Sequence, residues 1–208
     1  MNIKKIIDAL KEARICEKLP SEKYKDPFKV LVSAFLSTRT KDEVTEQATK
    51  KLFKVVNNPE DLLKLDVEQI EKLIYPVGFY KVKARRLKEL AEQICKEFNG
   101  KVPDNFNDLI KLKGVGRKVA NVVLAYAFNK DVIAVDTHVH RVANRLGIVN
   151  AKTPEETEKA LKNVVPRRFW KDINHLFVNF GKKVCKPVKP NCKACPIRKF
   201  CNLSQHPK

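Results

Sequence analysis

An all-α fold is predicted for this chain of 208 residues, and three observations carry the prediction. No stretch alternates apolar and polar residues with the period of two that a half-buried strand requires. Asp26-Pro27, Asn58-Pro59 and Thr153-Pro154 each pair an N-cap residue with proline at the first helical position, where its missing N–H removes no bond. After Gly78, the residues Leu87, Leu90, Ala91, Ile94 and Phe98 recur at helical spacing and stop at Asn99-Gly100, a terminator that tolerates the left-handed conformation.

The elements follow in chain order. Helices begin after Asp26 and after Asn58, and the segment following Gly78 is amphipathic, its apolar stripe belonging to a core. Next comes Leu112-Lys113-Gly114-Val115-Gly116-Arg117-Lys118, a turn with two glycines that can let another molecule approach the backbone closely. Val119, Ala120, Val122, Val123, Leu124 and Ala127 then read as a buried helix, so the turn is a helix N-terminus, where amide N–H groups and the dipole favour an anion. Asp136 stands eighteen residues after Lys118 and is an N-cap candidate for a helix starting near Thr137. Thr153-x-x-Glu156 has the form of a capping box. Prolines cluster from Cys185 to Pro196 and shape a loop.

Composition bounds the rest. Forty-three Lys and Arg against 24 Asp and Glu give a net charge of +19, which points to a polyanionic partner and above all to nucleic acid. The excess is concentrated: from Asn179 onward there are eight Lys or Arg and no acid. A solvated lysine-rich surface is the competing reading. An apolar fraction of 43% suffices for a core. No long apolar run occurs and Met1-Asn2-Ile3-Lys4-Lys5 leads into no signal-peptide core, so an intracellular protein is expected, in the cytoplasm or nucleoid of a prokaryote, with no membrane partner.

Four of the six cysteines crowd together as Cys185-x6-Cys192-x2-Cys195-x5-Cys201, the pattern of a four-thiolate metal site. Only Cys192 and Cys195 have the close spacing usual in structural zinc sites, and spacing alone leaves zinc open. Cys16 and Cys95 stand apart and are expected as buried free thiols. His138 and His140 lie two apart on an expected helix and so point to different sides, which argues against a hydrolytic zinc site.

The run from Leu112 to Lys118, the helix Val119 to Leu124, and Val135-Asp136-Thr137-His138-Val139 with Arg141-Val142 and Asn144-Arg145 resemble the helix-hairpin-helix DNA glycosylases, in particular the endonuclease III family. Lys113 departs from the pattern, standing where the family often has proline. The resemblance implies a six-helix barrel domain at residues 20–131. It also implies an iron-sulfur domain formed by residues 1–19 and 132–208, with its cluster loop at 185–201 and a groove between the two domains. It implies a [4Fe-4S] cluster on Cys185, Cys192, Cys195 and Cys201.

The same resemblance assigns roles. Gly114, Val115 and Gly116 hold the DNA backbone. Arg39, within Leu36-Ser37-Thr38-Arg39-Thr40-Lys41-Asp42, fills the gap left by an extruded nucleotide, and Phe79 wedges beside the opposite strand. Independently of the resemblance, Lys186, Lys189 and Lys193 in the basic cysteine loop are candidate phosphate contacts, and His138, beside Asp136, is a candidate DNA contact. Lys118 attacks C1′ of the damaged nucleotide, and Asp136 supports the positive charge that develops on the sugar. The helix dipole and surrounding cations disfavour the protonated form of Lys118, which favours its use as a nucleophile.

The implied activity is a bifunctional DNA glycosylase and abasic-site lyase acting as a monomer on double-stranded DNA. It removes oxidised pyrimidines and nicks the strand by β-elimination. Two alternatives stay open: a mismatch-directed glycosylase of the same superfamily, and a helix-hairpin-helix module that binds DNA without catalysis.

Overall fold

A computed structural model describes residues 2–15 and 17–202, and among them every regular element is helical. The α-helices are α1 (Ile3–Glu12), α2 (Pro27–Leu36), α3 (Asp42–Leu52), α4 (Pro59–Lys64), α5 (Val67–Ile74), α6 (Tyr80–Phe98), α7 (Phe106–Leu109), α8 (Arg117–Tyr126), α9 (Thr137–Leu146), α10 (Pro154–Val164) and α11 (Trp170–Lys183). Short 3₁₀ turns span Pro20–Lys23, Arg167–Phe169 and Arg198–Phe200.

The helix starts are where the capping chemistry puts them. Asp26 accepts from Lys29 N at 2.9 Å, Asn58 from Asp61 N at 2.7 Å and Thr153 from Glu156 N at 3.1 Å. The Thr153 box closes differently from the simple pattern, because Glu156 Oε2 accepts from Lys152 N at 2.8 Å, one residue before the cap. At the end of α6, Asn99 and Gly100 take φ of 51° and 74°, and the Gly100 N–H returns to Ile94 O at 3.1 Å.

The chain divides into two compact units, Lys18–Lys130 and Met1–Glu17 with Asp131–Lys208. In the Lys18–Lys130 unit, α2 and α8 pack on each other and are buried on most of their faces. Their apolar sequences, almost without charge, require that burial. Helices α4 and α5 pack against the long α6, and α7 lies against α8. In the other unit, α1 and α9 pack on α11 around Ile6, Ile7, Leu10, Phe177 and Phe180, with α10 against α9. No helix among the described residues is long and apolar enough to cross a membrane. Cys95 is half-buried, and Cys16 lies outside the described residues.

One residue on the inner face of α6 departs from the apolar pattern. Lys83 is only 5% exposed. Its Nζ donates to Leu36 O, Thr38 O and Thr40 Oγ1 at 2.8, 2.5 and 3.1 Å, all neutral acceptors. Burial pushes its ammonium down from 10.5 to about 8. Between those two values the unfolded chain binds more protons than the folded one, so this residue's contribution to stability rises with pH across that window. Urea unfolding of the native chain and of Lys83→Met from pH 7.5 to 10.5 should show the native chain gaining, relative to the variant, on the order of 3 kcal/mol. A constant difference would exclude a buried lysine whose ammonium is disfavoured by burial.

Candidate functional site

Helix α8 opens on the glycine turn. Val115 N donates to Leu112 O at 3.0 Å, closing the turn, and Gly116 is the N-cap, with no side chain to occupy the amides of the first turn. Lys118 is the second residue of α8, and the first turn holds no acid.

The two glycines do different jobs. Gly114 has φ of +79°, and a Cβ there would stand 2.8 Å from Phe35 Cε2, so both backbone conformation and space demand glycine. Gly116 has φ of −92°, which any residue adopts, and a Cβ there would meet nothing within 4 Å. Its bare Cα therefore keeps the approach to the helix N-terminus open. Gln93 of α6 braces the turn from beneath, accepting from Lys113 N at 2.9 Å and donating to Lys111 O at 3.2 Å. Lys113 thus supplies an N–H that a proline at this position would lack.

Arg39 and Phe79 come together in the same unit. Both are exposed, Phe79 at 62%, so Phe79 is not part of the core. The Arg39 guanidinium lies 5.8 Å from the Phe79 ring centroid. Both residues have left-handed backbones, with φ of 50° and 60°.

Asp136 is the N-cap of α9, its Oδ1 accepting from His138 N and Val139 N at 2.9 Å each. The preceding segment is held by Asn174, buried in α11, which donates to Ala134 O at 2.7 Å. Further along α9, Arg141 donates to Gly181 O and Cys185 O at 2.9 and 3.1 Å, and its Nη2 lies 3.1 Å from His138 Nδ1. His140 turns to the other side, where its Nδ1 lies 2.6 Å from Thr157 Oγ1.

Arg145, one turn beyond Arg141, donates to Lys186 O at 2.6 Å, to Pro187 O at 2.8 Å and to Cys185 Sγ at 3.6 Å. The Cys201 thiol donates to Arg145 O at 3.4 Å. Cys185, Cys192, Cys195 and Cys201 form no disulfide. Burial pushes the Cys195 thiol up, and the other three cysteines add to that shift. Among the described residues no three His, Cys, Asp or Glu side chains gather tightly enough to hold a metal ion. Lys186, Lys189 and Lys193 all project into solvent from this loop.

The sequence matches the HhH-GPD superfamily base excision DNA repair protein family over residues 32–167. It is 48% identical over 183 residues to the Endonuclease III of Thermotoga maritima, covering 88% of this chain and 86% of that one. The chain belongs to the endonuclease III family. Its fold matches the structure of a trapped Endonuclease III–DNA covalent intermediate, an estranged-adenine complex, with a TM-score of 0.87 at 34% identity over 99% of this chain and 98% of that one. It also matches a thermostable thymine-DNA glycosylase with a TM-score of 0.84 at 29% identity, covering 96% and 93% of the two chains.

Against that family background, sequence reasoning missed Lys83, Gln93, Arg141, Arg145 and Asn174 as supports of the candidate site residues. Lys83 alone had a local signal, since it precedes Leu87 by four and so falls on the buried face of its helix. The roles of Gln93 and Asn174 depend on partners far away in sequence.

Replacing the two glycines should separate their duties. Gly114→Ala is expected to cost about 2 kcal/mol or more through its positive φ and the Phe35 contact, whereas Gly116→Ala should cost at most about 1 kcal/mol. Yet Gly116→Ala should weaken binding to a duplex carrying a reduced abasic site. Thermal melting and a fluorescence-anisotropy titration check both, and equal melting losses for the two variants would contradict the assignment.

Proposed function

We propose that this chain is a base-excision-repair DNA glycosylase and abasic-site lyase that removes oxidised pyrimidines from double-stranded DNA and nicks the strand. The observation that carries the reading is an amine, Lys118, in the first turn of a helix whose N-terminus is left open by Gly116, in a chain of the endonuclease III family. A helix N-terminus fronted by an open turn suits a DNA phosphate, and it sets a nucleophile close to the sugar that the phosphate carries.

In the reaction, the Lys118 amine forms a bond to C1′ as the bond from C1′ to the base breaks, and the base departs with the electron pair and takes up a proton. The sugar then opens to a Schiff base on Lys118. Loss of a C2′ proton expels the 3′ phosphate by β-elimination, and water releases the lysine. Asp136 supports the positive charge on the sugar during base loss and assists proton transfer. Arg39 and Phe79 occupy the space beside the extruded nucleotide, and their exposure on adjoining loops supports that role. His138, on the first turn of α9, is a further DNA contact in this reading.

Cys185, Cys192, Cys195 and Cys201 would hold a [4Fe-4S] cluster. Four cysteines in one loop that form no disulfide offer an all-thiolate donor set, which suits an iron-sulfur cluster, and membership of the endonuclease III family favours that over zinc. When bound, that group supplies a rigid scaffold for the loop. The chain's own Lys186, Lys189 and Lys193 then meet phosphates at fixed positions, and the protein works as a monomer.

The thymine-DNA glycosylase match keeps a mismatch-directed reading in view. Lys118 favours the lyase over it, because a water-using glycosylase needs no amine there. Borohydride reduction of the protein with duplex DNA carrying an oxidised pyrimidine or an abasic site should trap a covalent adduct that Lys118→Ala abolishes. If native protein gives no adduct on either substrate, the lyase is wrong and a DNA-binding module gains. For the cysteine loop, Lys189→Ala should lower the slope of log Kd against log salt by about one unit. An unchanged slope would remove Lys189 from the phosphate contacts.

A further inference from the structure

We propose that Lys83 is a positioning residue for the reaction, its buried side chain fixing the two loops that present Arg39 and Phe79 to the duplex. The inference rests on the reading of Arg39 and Phe79 as the groups that fill the space around an extruded nucleotide.

The lacing is specific. Helix α2 ends at Leu36, and the chain then runs through Ser37, Thr38, Arg39 and Thr40 before α3 begins. Lys83 reaches across from α6 and takes the Leu36 and Thr38 carbonyls and the Thr40 hydroxyl, three acceptors that bracket Arg39. The same Thr40 hydroxyl accepts from Gly78 N at 3.2 Å, so it joins the Arg39 loop to the residue before Phe79. The two backbones are so close at this point that a Cβ on Gly78 would stand 2.5 Å from Arg39 O. One ammonium, one hydroxyl and one missing side chain therefore set the separation of the two loops.

Backbone strain shows what the lacing holds. Arg39 and Phe79 are both non-glycine residues in the left-handed region, a conformation that persists only where the surroundings impose it. Both side chains point into solvent and meet each other as a cation over a ring, so neither is held by a core of its own. Order has to come from the backbone beneath them, where local turn bonds from Ser37, Thr38 and Thr40 are joined by the Lys83 ammonium, the group that reaches in from α6.

An apolar side chain would serve the fold at least as well. Burying an ammonium against neutral oxygens is costly, and burial shifts Lys83 down accordingly. A residue needed only to fill the inner face of α6 would be leucine or methionine, like its neighbours Leu87 and Leu90. What an ammonium adds is three directed donors, enough to fix a loop that contains no other regular structure. Preorganised groups spare the cost of ordering at the moment of reaction, and small misplacements of them lower rates steeply.

The test is a mutant cycle on kcat/KM for nicking a duplex with one abasic site, measured well below the melting temperature of every variant. The pair Arg39→Ala/Phe79→Ala and the single Lys83→Met should each lower kcat/KM by about tenfold or more, and adding Lys83→Met to the pair should cost little further, because Lys83 acts through those two residues. Thr40→Val removes the bridging hydroxyl but spares the ammonium, and it should give a smaller loss, about threefold, with the same lack of additivity if Lys83→Met does not fold. Native rates in folded Lys83→Met and Thr40→Val, or losses that multiply with that of the Arg39→Ala/Phe79→Ala pair, would overturn the inference and leave the role of Arg39 standing. Arg39→Ala with native kcat/KM would instead remove the gap-filling reading, and the inference with it.

Discussion

The bond between the Asp136 carboxylate and the first amides of α9 is the constraint on which one whole unit of this molecule depends. It ends an extended segment, starts a helix, and leaves a carboxylate at the place where the two meet. From that fixed start the helix presents its faces in order. His140 and Asn144 engage the segment around Ala151 and Thr157, while Arg141 and Arg145 on another face grip the backbone that carries the first cysteine. The carboxylate and the cysteine loop are thus carried by a single rigid rod. A shift of the loop moves the arginines, and the arginines share a helix with Asp136.

Three lysines show how surroundings decide the use of one side chain. Lys118 stands in the first turn of α8, and in the proposed reaction its amine meets the sugar. Lys83 lies inside the same unit, out of reach of any substrate, and spends all three donors on backbone and hydroxyl oxygens. Lys186, with its neighbours in the cysteine loop, projects into solvent where only long-range charge matters. The net charge of +19 therefore combines separate functions, and only the exposed share of it draws the polyanion.

Much of this was legible in the order of residues because it is local. Asp26, Asn58 and Thr153 cap their helices as their sequences demand, and the stripe from Leu87 to Ile94 is buried as its spacing requires. Asp136 reads correctly as an N-cap, and the capping and catalytic readings are compatible, since one carboxylate can serve both. What sequence could not give were the partners. Nothing near Gln93 indicates that it braces the turn at Lys113, and nothing near Arg145 indicates the Pro187 carbonyl, because each bond joins elements that only the fold brings together. Of the two glycines, Gly114 needs its left-handed backbone, whereas Gly116 has an ordinary φ and supplies the close approach to the backbone that the motif suggests. The [4Fe-4S] assignment owes more to the resemblance than to spacing, which had left zinc open.

In the proposed reaction Asp136 contributes charge to the chemistry over and above its cap. Asp136→Asn separates the two, because asparagine caps a helix about as well as aspartate but brings no charge. Single-turnover release of an oxidised pyrimidine from duplex DNA should fall by about a hundredfold in this variant, with melting temperature and duplex affinity close to native. Native rates of base release, or a loss matched by equal losses of stability and affinity, would contradict the claim and leave Asp136 a helix cap alone.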